Sequence, residues 1–182
     1  PPKLPEDYSI SVLKGEIPAV QLVYNRSRTD KGYSPKSPFR ITVSGSPVSA
    51  RLRMVDLVPS DFPTYDLTDE SYITTQPGLF PDLLLPIENE FIFPLPEQWR
   101  SVWIDFPGLD KAETGSYQIS VTVSGAKKGE GPRYTEFDTN HYSTESYTGQ
   151  FNLEVMADAL PKPSLLHTEW LYTDCLADYY DV

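Results

Sequence analysis

The chain is short of cysteine, histidine and clustered positive charge, and each shortage removes a class of protein. Cys175 is the single cysteine in 182 residues, so no internal disulfide can form and a small disulfide-stapled scaffold is excluded. There are two histidines, His141 and His167, and neither lies in a Gly-x-Ser-x-Gly or Cys–His context. A structural or surface role is expected of each. Cys175 and His167 have no zinc-ligand spacing behind them, and phosphate-cradling loops and dinucleotide fingerprints are absent. No metal site and no cofactor is therefore expected. Lysine and arginine number 15 against 26 aspartates and glutamates, for a net charge of −11. An acidic surface repels phosphate backbones and anionic lipid, so neither nucleic acid nor membrane is an expected partner. No apolar run approaches the roughly 20 residues needed to span a bilayer. No signal peptide is visible, and a start at Pro1–Pro2 reads as a trimmed one. The compartment, cytoplasmic or secreted, stays open.

What the chain does have is apolar and aromatic surface. Hydrophobic residues make up 39% of it, with 12 Tyr, 8 Phe and 3 Trp, enough for a sizeable core. Eighteen prolines argue against long helices. Short runs rich in β-branched and aromatic residues alternate with turn signals. Strands are expected over 9–13, 19–24, 39–43, 50–55, 99–106, 117–123 and 151–155, with a short one at 91–93. Residues 59–96 carry seven prolines and read as an ordered, extended excursion rather than sheet core. Residues 126–150 read as a long hairpin or loop. Seven or so strands with frequent turns predict an all-β fold, a two-sheet antiparallel immunoglobulin-like β-sandwich. Period-two alternation selects Val20, Leu22, Ile41, Val43, Leu52, Tyr117, Ile119, Val121 and Leu153 for its core. In the 99–106 strand, Trp99, Ser101, Trp103 and Asp105 share one face, and Arg100, Val102, Ile104 and Phe106 the other. The two tryptophans would make a sugar-stacking platform if outward and core if inward, and large aromatics favour the inward reading.

Other motifs carry bland readings. Asp61, Asp66, Asp69 and Glu70 supply carboxylates but no calcium-loop pattern, so a solvated acidic loop is expected. Asn25-Arg26-Ser27 is a formal glycosylation sequon of a kind that arises by chance. Residues 77–86 place apolar side chains between prolines, a strip that something must cover. The end differs in character. Leu160-Pro161-Lys162-Pro163 has the make-up of a stiff linker. Residues 165–174 then read as a strand and 175–180 as the opening of a helix.

Three segments together resemble the amino-terminal region of glycoside hydrolase family 123, the β-N-acetylgalactosaminidase-like enzymes. They are Gly15-Glu16 followed by Val20-Gln21-Leu22; Pro77-Gly78-Leu79-Phe80-Pro81-Asp82 with Leu84 and Pro86; and Leu160-Pro161 through Thr168-Glu169-Trp170-Leu171-Tyr172-Thr173-Asp174-Cys175-Leu176-Ala177. Gln98-Trp99 to Trp103 and Gly115-Ser116-Tyr117 fall between them in order. The resemblance implies a sandwich over residues 1–158, then a linker and the truncated start of a (β/α)8 barrel over 159–182. It implies a parent that is a retaining glycosidase, in which the sugar's 2-acetamido oxygen attacks its own anomeric carbon and an Asp-Glu pair on a later barrel strand assists. No such pair in barrel context is present, and Asp69-Glu70 in the irregular middle cannot inherit the role, so no catalytic residue is assigned to this chain. Trp170, Tyr172 and Asp174 lie where the first barrel strand would end, and are the expected substrate-edge residues. The expected partners are the chain's own downstream barrel, a glycan and a second copy in a homodimer, and the tail over 164–182 is expected to be mobile, to fold back on the sandwich or to mediate the dimer contacts. The alternative is a free-standing carbohydrate-binding or adhesion module of immunoglobulin type.

Overall fold

The computed structural model describes residues 8–25, 38–60, 74–87, 91–92, 97–125, 146–161 and 164. They form nine strands: β1 (Ser9–Lys14), β2 (Ala19–Tyr24), β3 (Phe39–Ser44), β4 (Arg51–Ser60), β5 (Gly78–Pro86), β6 (Phe91–Ile92), β7 (Arg100–Asp105), β8 (Gly115–Gly125) and β9 (Ser146–Ala159). One sheet has the order β1-β9-β8-β3-β6 and the other β2-β7-β4-β5. All pairings are antiparallel except β1 with β9, which run parallel. Consecutive strands fall in opposite sheets except β4–β5 and β8–β9, which pair as antiparallel neighbours within one sheet, and the crossing between layers is that of an immunoglobulin-type sandwich.

The inner faces are those that period-two alternation selects. Ile41, Ile119 and Leu153 are fully buried, and Val20, Leu22, Val43, Leu52, Tyr117 and Val121 pack around them. The edge-to-face pair Phe106–Phe151, with ring centroids 6.1 Å apart, joins the two layers. Between β7 and β8, a single 3-10 turn at Leu109–Lys111 buries Leu109. Tyr117 then donates its hydroxyl to the Glu113 carbonyl four residues upstream, at 2.9 Å. This local tie has the form of the tyrosine corner of immunoglobulin-type domains. Ile119 stands two residues further on, where antibody domains place a cysteine of their inter-sheet disulfide. Apolar packing closes the layers here instead.

Two expectations are corrected. Residues 78–86 are not an excursion: they form β5, the outermost strand of the four-stranded sheet. Prolines 81 and 86 are compatible with that place because an edge strand needs ladder partners on one side only. Pro59 fits for a related reason. It lies in the stretch of β4 beyond Val55, which pairs with β5 but no longer with β7. The second correction concerns β7. Val102, Ile104 and Phe106 are its buried inner side chains, and Trp99 is 72% exposed. The expected short strand at 91–93 is present as β6. The barrel strand and helix expected over 165–182 lie outside the described residues.

Candidate functional site

The two outer faces of the sandwich differ in chemistry. On the five-stranded sheet, cross-strand pairs of small polar side chains meet water. Ser11 donates to Glu154 at 2.7 Å, Gln150 donates to Ser120 at 3.0 Å, and the Thr122 and Thr148 hydroxyls are 2.9 Å apart. Such pairs suit a solvated face. The outer face of the four-stranded sheet instead carries Trp103, Val55, Val23 and a cluster of charges.

Strand register builds that cluster. Arg51 lies directly opposite Asp105, Arg53 opposite Trp103, and Val55 opposite Ser101. Alternation along β4 puts both arginines on the outside, and β7 brings Asp105 between them. Arg51 grips the carboxylate with two bonds, Nε to Oδ1 at 3.0 Å and Nη2 to Oδ2 at 2.7 Å. Arg53 donates to Oδ2 as well. The planar guanidinium fork suits this two-bond grip. Asp105 is covered by these side chains, its own exposure being 2%, and half of the Arg51 side chain faces solvent. Burial alone would raise the Asp105 carboxyl. The Arg51 hydrogen bond and the charges of Arg53 and Arg51 outweigh it and hold the group below its usual value. A carboxylate locked in this way is a poor proton acceptor, so the cluster is suited to holding and recognition rather than to acid–base chemistry. One donor is left over: Arg53 Nε is buried with no partner. On β2, Gln21 donates to Ser101 at 2.7 Å and completes the polar half of the face.

A second feature lies where the β1–β2 turn meets the end of β9. The turn closes by a bond from Glu16 N–H to the Leu13 carbonyl at 3.1 Å, with Gly15 at φ 93°. The Leu160 N–H donates to the Lys14 carbonyl at 2.7 Å and clasps β9 to it. Beside them a groove of about 560 Å³ is lined by Tyr8, Ile10, Ile17 and Leu160 among others. Its one acidic side chain, Glu16, accepts the Leu13 N–H at 2.7 Å. The groove is open, and polar and apolar groups share its lining almost equally.

The fold has a solved counterpart. A family 123 glycoside hydrolase from Clostridium perfringens, studied for glycolipid glycan hydrolysis, superposes with a TM-score of 0.60 at 17% identity. The match covers 96% of this chain and 27% of that one. The likeness is one of fold, and it extends to about a quarter of the enzyme's length. A class 5 fimbriae chaperone, CfaA, matches at a TM-score of 0.32 and 10% identity, over 83% of this chain and 56% of its own, and carries no argument. No protein-family model matches the chain, and no curated protein does.

The expected substrate-edge residues Trp170, Tyr172 and Asp174 lie outside the described residues, as do His141, His167, Cys175 and the carboxylates at 61, 66, 69 and 70. Among the described residues no group of three or more His, Cys, Asp or Glu side chains could hold a metal ion. No helix among them is long and apolar enough to cross a membrane. The Arg51–Asp105–Arg53 cluster was not anticipated. The alternation of Arg51 and Arg53 was visible in the sequence, but their shared counter-charge lies some fifty residues away.

Proposed function

We propose that this chain is the non-catalytic amino-terminal sandwich of a glycoside hydrolase acting on N-acetylhexosamine-containing glycans. Its role is to support a downstream (β/α)8 barrel. The observation that carries this reading is the fold shared over 96% of the chain with a family 123 enzyme of which it matches only 27%. The three resembling segments and their order support the same reading. The sandwich occupies residues 1–158, residues 159–182 lead into the barrel, and Trp170, Tyr172 and Asp174 edge its sugar site. Turnover then belongs to the parent protein, by the retaining, substrate-assisted route.

A second reading is a free-standing carbohydrate-binding module of immunoglobulin type. Trp99 favours it, because a 72% exposed indole is a platform on which a sugar ring can stack.

Expression of the full reading frame beside residues 1–182 separates the two. The first reading expects the full protein to release the aryl group from an aryl N-acetylhexosaminide and the 182-residue chain to release none. Release by the short chain alone, or a full reading frame without a barrel, overturns it.

A further inference from the structure

We propose that the outer face of the four-stranded sheet, from Trp99 to Asp105, is the surface on which the sandwich docks against the folded body that follows it in the same polypeptide. This rests on the reading of the chain as one part of a larger hydrolase, and it assigns the face.

The two outer faces of the sandwich are asymmetric. The outer face of the five-stranded sheet is finished for water by its Ser, Thr, Gln and Glu pairs. The opposite face is not. Val55, Ser101 and Asp105 are already buried there although no further layer of described strands covers them. Two residues ahead of Ser101, just before β7 begins, is Trp99, 72% exposed, and directly opposite Ser101 is Val23, 54% exposed. Tryptophan and arginine beside a desolvated centre are the composition of an interface core.

Charge identifies the occupant's chemistry. Two guanidiniums share one carboxylate, so the cluster is left with one net positive charge in a chain of net charge −11. The Arg51 side chain is half exposed, and Arg53 Nε has no acceptor. A complementary surface brings a carboxylate or backbone carbonyl to the exposed half of Arg51, and apolar side chains to Trp99 and Val23. A second copy of so acidic a chain meets long-range repulsion on approach.

Topology identifies the occupant's position. Arg51 opens β4, and Asp105 closes β7 opposite Ala19, the first residue of β2. The β1–β2 turn therefore lies at the cluster's end of the sandwich. Leu160 is clasped to Lys14 at that turn. Chain continuing past Leu160 starts at the end of the sheet where the unfinished cluster stands.

The test is hydroxyl-radical footprinting of the full-length protein, read by mass spectrometry, with Met156 as an internal reference. Met156 is on β9 of the other sheet and is 39% exposed. Docking predicts that Trp99 is modified at least five-fold more slowly relative to Met156 than in residues 1–182. It also predicts that W99E in the full-length protein speeds proteolysis between residues 160 and 164 while leaving the sandwich intact by circular dichroism. Trp99 equally reactive in both proteins overturns the assignment of the face and leaves the hydrolase reading standing. Protection that disappears on dilution points to a second copy and overturns the intrachain occupant. Binding of an N-acetylhexosamine glycan to residues 1–182 that W99A abolishes makes the face a sugar site and overturns docking. Trp99 protection in a full-length protein without glycosidase activity upholds docking and sinks the hydrolase reading alone.

Discussion

Single side chains set the stability of this sandwich in three distinct ways. Ile119 is fully buried at the middle of β8. Ile119→Ala leaves a cavity that neighbours on both sheets cannot fill, and should cost about 2–5 kcal/mol in urea unfolding. A loss below about 0.5 kcal/mol would place Ile119 outside the cooperative core. Gly45 acts through the backbone. It follows β3 with φ 82°, and a Cβ there would stand 2.0 Å from the Gln118 carbonyl oxygen. Gly45→Ala adds a left-handed penalty to a clash with an immovable main chain, for about 2–4 kcal/mol. A variant as stable as the parent would show that the β3 turn relaxes freely. Asp105 acts through charge. Its folded carboxyl titrates below the ordinary value, so the unfolded chain takes up the proton first as pH falls. The stabilisation is therefore complete above about pH 4 and drains away as pH falls further. Asp105→Asn should cost about 1–3 kcal/mol at pH 7, and the gap to the parent should close toward pH 3. Urea midpoints at the two pH values check this, and an equal gap at both would remove the charge from the account.

At the scale of elements, legibility depended on whether a strand's surroundings are written into the strand itself. β8 buries one face and solvates the other, so alternation alone chose Tyr117, Ile119 and Val121. β7 was ambiguous because both of its faces carry large apolar groups. The mass of Trp99 and Trp103 argued for the inside, and only pairing with β2 and β4 turns Val102, Ile104 and Phe106 inward. β5 was missed because being an edge is a property of the sheet: two prolines that forbid a central strand are harmless there. The charged cluster needed the Arg51–Asp105 register, which no local pattern encodes. β5 also makes a prediction at its own scale. Leu79 and Leu83 are exposed on it, an apolar edge that invites pairing with another chain. Pro81 lacks the N–H such pairing would use. Pro81→Val should therefore raise concentration-dependent self-association by light scattering, and an unchanged profile would show that the edge is guarded by other means.

For the whole molecule, the arrangement of layers separates two tasks. One outer face is hydroxyl- and amide-rich and stays in water, and the other holds aromatic and guanidinium groups that a covering body would complete. The one deeply covered carboxylate among the described residues is neutralised by arginines rather than poised for proton transfer.

The parallel pairing of β1 with β9 has a mechanical side. Ser9 pairs with Asn152 at one pole and Lys14 with Ala159 at the other, so the incoming and outgoing strands leave from opposite ends of one ladder. Tension passed along the polypeptide pulls these neighbours past each other lengthwise. The bonds between them are then strained in shear and must give way together, where an antiparallel hairpin drawn from its open end would unzip rung by rung. The Tyr8–Asn152 and Lys14–Leu160 backbone bonds, 3.0 and 2.7 Å long, extend that ladder at either end. A sandwich loaded along its own polypeptide would therefore resist opening more than one loaded across an antiparallel hairpin.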